Sequence, residues 1–175
     1  MKEHKIIITG TVGAGKTTAI GAVSEIEPVV TDVVNSDKSI EKKMTTVGFD
    51  YGEIRLNANE RLRLYGTPGQ ERFDFMWKVL SQGALGIIVL VDHASPSAEN
   101  DLDMYITNFK DLIQKTGCVV GISKVDKRPD ISLDVYTEAI SKHQIICPVV
   151  PVDVRVKDQV LWVLDLLLTQ LEMKA

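Results

Sequence analysis

The feature that most constrains the fold is an alternation between short runs rich in β-branched residues and longer stretches with helical spacing. Residues 5–9, 47–56, 61–65, 85–91, 118–123 and 146–152 form the short runs and are predicted as strands. The clearest helical spacing comes last, with one apolar face formed by Val160, Leu164, Leu167, Leu168 and Leu171. This alternation predicts an α/β fold with a six-stranded, mostly parallel sheet and helices on both faces.

One pair of strands departs from the parallel pattern. The second and third runs are separated by a short polar turn at residues 57–60, which predicts a hairpin and therefore one antiparallel strand at the sheet edge. Neither a repeat nor a Pro/Gly/Ser-rich linker divides the sequence. We therefore predict a single domain over residues 1–175.

Composition and charge narrow the function classes. The formal net charge is −4, with 45% hydrophobic residues, so the chain has no general attraction for nucleic acid or anionic lipid. The sequence has no apolar run long enough for a membrane span. It lacks both a prenylation cysteine and a glycine at position 2. We therefore expect a cytoplasmic protein without a nucleic-acid partner or an intrinsic membrane anchor.

A phosphate-binding motif follows the first predicted strand. Residues 10–17, Gly-Thr-Val-Gly-Ala-Gly-Lys-Thr, match G-x-x-x-x-G-K-[ST] at every fixed position. Glycines allow backbone N–H groups to surround an anion, and the following helix directs its positive end to the same place. Lys16 is expected to contact the β- and γ-phosphates and Thr17 to ligate Mg²⁺. The predicted phosphate-binding residues are Gly10, Gly13, Ala14, Gly15, Lys16, Thr17 and Thr18.

Three further motifs follow in a fixed order. Thr-Thr-Val-Gly-Phe-Asp at 45–50 opens the second run, Thr-Pro-Gly-Gln-Glu-Arg-Phe at 67–73 follows the third, and Ser-Lys-Val-Asp at 123–126 closes the fifth. With the phosphate loop, they resemble the small Ras-like GTPases over essentially the whole chain. The resemblance is closest to a prokaryotic branch that includes the bacterial gliding-motility and polarity GTPases and their relatives encoded beside Roadblock-type proteins. It implies GTP or GDP, Mg²⁺ and a regulatory protein partner of the Roadblock type.

The resemblance also implies roles for residues around the γ-phosphate. Thr46 would ligate Mg²⁺ together with Thr17 and contact the γ-phosphate through its backbone, with Thr45 as the alternative alignment. Gly69 would bring its N–H close to the γ-phosphate, and Gln70 would orient the attacking water. The predicted catalytic residues are Gln70, Lys16 and Thr46.

The base would be recognised at the carboxyl end of the fifth run. The Asp126 carboxylate can accept from both adjacent donors of guanine, N1–H and the amino group. Lys124 would lie along the base plane. The family usually has asparagine in place of Ser123, so we expect a bridging hydrogen bond to be lost, worth about 0.5–1.5 kcal/mol. Asp153 and Val154 stand where the family places a backbone N–H near the base, and Arg155 is expected to pair with a carboxylate.

Two departures from the family affect the chemistry. Gly66 occupies the place of the Walker B aspartate, so either another carboxylate substitutes or Mg²⁺ is held by Thr17, Thr46, phosphates and water. Val12 stands where Ras has glycine and would crowd an inserted arginine, which predicts either slow hydrolysis or an activating partner that works without an arginine in trans. Arg55 and Arg72 are possible arginines in cis, but a surface position on a strand for Arg55 and a helix start for Arg72 are the favoured interpretations. Residues 34–43 are polar and irregular, as in a switch segment.

The sequence therefore predicts a GTP-binding, slowly GTP-hydrolysing switch. Three alternatives stay open. They are a non-hydrolysing nucleotide-binding scaffold, an ATP-dependent small-molecule kinase, and a structural subunit with a vestigial site.

Overall fold

The computed structural model describes residues 1–34, 46–71, 74–130 and 132–174. Within these ranges the structure contains seven strands, β1 (Lys2–Gly10), β2 (Val29–Val34), β3 (Thr46–Asn57), β4 (Glu60–Gly66), β5 (Ala84–Asp92), β6 (Cys118–Ser123) and β7 (Val149–Pro151). Five α-helices accompany them, α1 (Lys16–Val23), α2 (Asp74–Ser81), α3 (Ala98–Lys115), α4 (Asp134–Ser141) and α5 (Lys157–Lys174). A short 3₁₀ turn, Val125–Lys127, follows β6.

The strands form one mixed sheet in the order β2-β3-β4-β1-β5-β6-β7. Among the described residues, β3 alone runs against the other strands, because it pairs antiparallel with both β2 and β4. The remaining neighbours are parallel. This arrangement confirms the predicted α/β class, the mostly parallel sheet and the single antiparallel strand.

The edge of the sheet differs from the prediction in one respect. The structure adds a seventh strand, β2, which covers the outer side of β3, so the antiparallel strand is second from the edge. Most of the polar segment predicted as a switch, residues 35–43, lies outside the described residues. At the other edge, β7 is limited to Val149–Pro151, shorter than the predicted residues 146–152.

The core lies in two layers, one on each face of the sheet. Successive side chains of β1 pack in opposite layers. Ile6 and Ile8 pack with α1 and α5, whereas Ile7 packs with α2, α3 and α4. Strand β5 alternates in the same way and is buried along nearly its whole length. Helices on both faces explain why the central strands read as continuous apolar runs.

The central position of β1 fixes where a ligand can bind. In open parallel sheets, ligands bind beyond the carboxyl ends of the strands, where neighbouring connections diverge to opposite faces. The connection after β1 leads into α1 on one face, and β5 leads into α3 on the other. Across the described residues, every helix is too short or too polar to cross a membrane.

Candidate functional site

The phosphate loop joins the end of β1 to the start of α1. Gly10, Gly13 and Gly15 have positive φ angles of 147°, 83° and 105°, in the region that favours glycine. Gly15 immediately precedes α1, where the first backbone N–H groups of a helix have no partners within it. The loop therefore presents backbone donors and the positive end of a helix dipole to the same volume.

Lys16 is held within this loop. Its side chain is buried, and its ammonium group donates to the carbonyl oxygens of Gly10 at 2.6 Å and Thr11 at 2.8 Å. Burial lowers the pKa of Lys16 to about 8, while the nearby Asp50 carboxylate acts in the opposite direction. Bound phosphate oxyanions would favour the charged form again.

Thr17, the next residue, is tied to the sheet. Its hydroxyl donates a hydrogen bond of 2.5 Å to Oδ2 of Asp50, on β3. These two oxygens lie beside the phosphate loop, and hard oxygen donors are what Mg²⁺ prefers. The described residues contain no group of three or more His, Cys, Asp or Glu side chains that could by itself hold a metal ion. Such a cluster is not needed here, because Mg²⁺ in nucleotide sites takes most of its ligands from phosphates and water. The residues present therefore fit Mg²⁺ bound together with a nucleotide.

The segment after β4 lies directly on the phosphate loop. A Cβ atom added to Gly69 would stand 2.5 Å from the Val12 nitrogen and 2.9 Å from Nζ of Lys16. Two core side chains hold this segment in place. Nε1 of Trp77 donates to the carbonyl of Pro68 at 2.9 Å, and the Tyr105 hydroxyl donates to the carbonyl of Gly69 at 3.0 Å. The close approach is possible because residue 69 has no side chain.

A cleft of about 620 Å³ opens beside the loop. Its walls combine the loop, the end of β6 with the 3₁₀ turn, and the segment after β7. The lining residues are Gly13, Gly15, Thr18, Ser123, Lys124, Val125, Asp126, Lys127, Pro151, Val152, Asp153, Val154, Arg155 and Gln159. The structure thus gathers around one cavity the residues predicted to bind a base.

Ser123 and Lys124 fix the wall formed by β6. The buried Ser123 hydroxyl is 2.9 Å from the carbonyl of Ala14 and 3.2 Å from that of Val91. The expected loss of a bridging bond is therefore wrong on the side that faces the phosphate loop, because the short side chain is close enough to reach Ala14. Nζ of Lys124 pairs with Oδ2 of Asp92 at 2.5 Å. Asp126 is exposed and lies 3.8 Å from Nζ of Lys127.

The opposite wall is an Asp–Arg pair. Arg155 donates to both carboxylate oxygens of Asp153, from Nε at 2.9 Å and from Nη2 at 2.7 Å. Hydrogen bonds from the Arg155 side chain and backbone lower the pKa of Asp153 to about 2. Arg155 therefore pairs with a carboxylate, as expected. The Asp153 backbone N–H donates to Oε1 of Gln159 at 2.7 Å, and Val154 packs against Gly15.

The predicted γ-phosphate residues are not all assembled in this conformation. Gln70 is exposed at the bend after β4. Thr46 is the first residue of β3, and four residues of strand, about 13 Å, separate it from Asp50; its side chain and the whole of Thr45 lie outside the described part. A metal site with both Thr17 and Thr46 therefore requires this segment to take another path. Arg55 is exposed and paired in register with Arg61 near the hairpin turn, and Arg72 is outside the described residues.

Several residues around the site had no role assigned from the sequence. Asp50 appears in the sequence only as the last residue of the motif at 45–50, and no role is predicted for Asp92, Tyr105 or Gln159. A signal existed for Asp50, because it is an acidic residue in a chain that lacks the usual carboxylate at Gly66. The other three become apparent only from the packing of distant elements.

Comparison with known proteins gives a family match. A family model described as "Conserved hypothetical ATP binding protein" matches residues 29–146. The match begins after the phosphate loop and includes Ser123, Lys124 and Asp126.

Individual relatives are distant. An uncharacterized protein of Methanocaldococcus jannaschii is 26% identical over 57% of this chain and 57% of its own length. ADP-ribosylation factor-like protein 8b of Arabidopsis thaliana is 26% identical over 78% of this chain and 69% of its own length. Ras-related protein Rab-18 of Lymnaea stagnalis is 26% identical over 81% and 68%, respectively. The chain thus spans between about half and two thirds of these relatives, and it is similar to small GTPases of the Arf-like and Rab groups.

Proposed function

The chain belongs to the family described as "Conserved hypothetical ATP binding protein", and we propose that it acts as a GTP-binding, slowly GTP-hydrolysing molecular switch. Its similarity to Arf-like and Rab proteins supports a nucleotide-binding, small-GTPase-like protein. The choice of GTP, the hydrolysis and the switching are our proposal.

One observation carries this proposal: a phosphate site and a base-sized cleft share a wall. Gly13 and Gly15 belong to the phosphate loop and also line the cleft that contains Asp126. A nucleoside triphosphate can therefore place its phosphates over Lys16 and its base beside Asp126. Lys16 and Asp126 complement this ligand, since Lys16 is a cation that would face the phosphates. The Asp126 carboxylate has two acceptor oxygens that would face the guanine donors.

Residues of the chain itself would bind the phosphates, the metal and the base and would position the attacking water. The loop backbone and Lys16 would bind the β- and γ-phosphates, and Thr17 would supply an oxygen to Mg²⁺, which neutralises phosphate charge when bound. Lys124, held by Asp92, would lie along the base. Gln70 would orient the attacking water.

Switching would involve the segment from Pro68 to Gln70. In the present conformation Gly69 lies against Val12 and Lys16, so a γ-phosphate bound at Lys16 would compete for this space. Displacement of the segment, with a change in the path of the chain at Thr46, would give the two nucleotide states different surfaces. We propose a Roadblock-type protein as the partner that reads this difference, on the basis of the resemblance to the prokaryotic branch.

Competition binding with fluorescent nucleotides tests the base preference. We expect unlabelled GTP and GDP to displace a labelled guanine nucleotide at least tenfold more effectively than ATP and ADP. Asp126→Asn replaces an acceptor oxygen with a donor and should shift preference from guanine towards xanthine. Asp130→Asn, which removes the same charge outside the cleft, is the matched control. Equal affinity for GTP and ATP in the parent would refute the guanine assignment.

ATP is the second candidate, favoured by the description of the family. The same competition assay decides between the two bases. The variant Lys16→Ala distinguishes both candidates, GTP binding and ATP binding, from a chain that binds no nucleotide at this site. We expect it to weaken triphosphate binding at least tenfold, or about 1.4 kcal/mol, whereas Lys115→Ala on α3 should have no effect. A parent that releases no phosphate over many hours with excess GTP would indicate the non-hydrolysing scaffold.

A further inference from the structure

Gly66 leaves a gap in the site that another residue fills. It ends β4 and is paired in register with Asp50 of β3. A Cβ atom added to Gly66 would lie 3.1 Å from Cβ and 3.2 Å from Oδ2 of Asp50. The Asp50 carboxylate therefore occupies the space next to residue 66, where a side chain at that position would begin.

Asp50 is also connected to the phosphate loop. Its Oδ2 accepts the hydrogen bond from the Thr17 hydroxyl, and its charge acts on the pKa of Lys16. Among the ion pairs formed by the described residues, Asp50 takes no part, although Glu53 on the same strand is paired with Arg61. The carboxylate is thus half-buried, directed at the loop and available to a cation.

The direction of the Thr17 hydrogen bond is compatible with metal binding. A hydroxyl that donates its proton to a carboxylate keeps its oxygen lone pairs for a cation. Carboxylates that orient a ligand in this way strengthen metal binding without touching the metal.

We propose that Asp50 is the carboxylate that supports Mg²⁺ at this site, orienting Thr17 and accepting from a metal-bound water, in place of an aspartate at position 66. The inference rests on the proposed nucleotide-binding function. It also accounts for glycine at 66, since side chains at both positions would collide. In this chain the carboxylate lies on β3, whereas the family usually has it at the position of Gly66, at the end of β4.

Nucleotide release as a function of free Mg²⁺ tests this role. Labelled GDP and ADP are both used, and the result is taken from whichever binds. We expect chelation of Mg²⁺ to speed release from the parent at least tenfold. Asp50→Asn keeps the shape and an acceptor for Thr17 but loses the charge, so its release should be fast with Mg²⁺ present and change less than twofold on chelation. Glu53→Gln removes a charge from the same strand and should retain the dependence on Mg²⁺.

Moving the carboxylate from residue 50 on β3 to residue 66 on β4 gives a second test. Gly66→Asp alone should bind nucleotide poorly, because its side chain collides with Asp50. The double variant Asp50→Gly/Gly66→Asp, which removes both the carboxylate and the Cβ at residue 50, should regain Mg²⁺-dependent release. Ile20, whose Cδ1 would be 3.0 Å from the new Cβ, has a flexible end that can yield.

A direct measurement of metal binding does not depend on the double variant folding. Free Mn²⁺ measured by electron paramagnetic resonance should show at least tenfold weaker binding to nucleotide-loaded Asp50→Asn than to the parent. If Asp50→Asn keeps normal Mg²⁺ dependence and Mn²⁺ affinity, the inference is wrong while the proposed function stands. If ADP binds and GDP does not, the guanine assignment fails and the Asp50 result is still decisive. Failure of both nucleotides to bind would overturn both.

Discussion

The Ser123 hydroxyl at the end of β6 donates to the carbonyl oxygen of Ala14 in the phosphate loop at 2.9 Å. This bond links residues 109 positions apart and ties the base wall of the cleft to the phosphate wall. Its donor is almost completely buried, and an unpaired buried carbonyl is costly. This hydroxyl therefore contributes to the relative placement of the two halves of the site, together with the packing of Val154 against Gly15.

Removal of that hydroxyl should affect stability and binding together. We expect Ser123→Ala to lower the free energy of unfolding by about 1–2 kcal/mol and Tm by roughly 2–8 °C. Nucleotide affinity should fall as well, because the loop loses its anchor. Ser141→Ala removes an exposed hydroxyl bonded to Glu138 and should change stability by less than about 0.5 kcal/mol. Thermal unfolding with and without nucleotide measures both effects, and equal Tm values for the two variants would contradict the anchoring role.

The register of the β3–β4 hairpin illustrates what the sequence could not supply. Counting back from Asn57 opposite Glu60 places Tyr51 opposite Gly66. The structure has a register shift between Arg55 and Asn57, which moves every later pair by one and brings Asp50 opposite Gly66. A one-residue shift exchanges the two faces of a strand. Local composition does not encode such a bulge, so the position of Asp50 at the site emerged only from the structure.

Other parts of the site followed from the sequence because they depend on local chemistry. The phosphate loop needs glycines, lysine and threonine at fixed spacing, and its placement between β1 and α1 agrees with the prediction. The cleft wall formed by Ser123, Lys124 and Asp126 follows from their position at the end of a buried parallel strand. Strand β2 was missed although five of its six residues are β-branched. Its partner strand β3 begins at Thr46, beside the undescribed segment.

Lys16 should make nucleotide binding depend on pH. Its pKa in the free protein is about 8 because burial disfavours the charge, and bound phosphates should raise it. Binding then takes up about a quarter of a proton at pH 7.5 and about three quarters at pH 8.5, so affinity falls as pH rises through 8. Calorimetry in buffers of different ionisation enthalpy measures this uptake. Proton release, or no buffer dependence, would contradict the assignment.

The same depressed pKa has a consequence for the nucleotide-free protein. The unfolded chain, with Lys near 10.5, binds more protons than the folded chain between pH 8 and 10.5. The contribution of Lys16 to stability therefore increases as pH rises through this window. Denaturant unfolding of the parent and of Lys16→Met at pH 8 and pH 10 isolates this contribution, which should be absent from the variant.

Substitutions at Gly69 and Gly21 can be compared to test the contact between residues 68–70 and the phosphate loop. A Cβ at Gly69 would collide with backbone atoms of Val12 and Thr11, whereas one at Gly21 in α1 meets only Pro28 at 3.9 Å. We expect Gly69→Ala to destabilise the nucleotide-free protein by about 1–3 kcal/mol. Gly21→Ala should stabilise it by about 0.5–1 kcal/mol, as usual for a helix. Equal unfolding free energies would show that the segment does not rest on the loop in solution.

Gln70 should control turnover. It is exposed at the bend after β4, and Val12 extends from the phosphate loop with 67% of its surface accessible. A water-orienting residue that is exposed in this way predicts slow cleavage, near the unstimulated Ras value of about 10⁻⁴ s⁻¹. A partner would accelerate the reaction chiefly by positioning Gln70 and the Thr46 segment, because Val12 leaves little room for an inserted arginine.

Single-turnover GTP cleavage is therefore compared for the parent, Gln70→Ala and the surface control Gln82→Ala, each with and without a co-encoded Roadblock-type protein. We expect stimulation of the parent and of Gln82→Ala and its loss in Gln70→Ala. Equal stimulated rates would remove Gln70 from the mechanism, and unstimulated cleavage near 1 s⁻¹ would show that Val12 and Gly66 do not weaken the site.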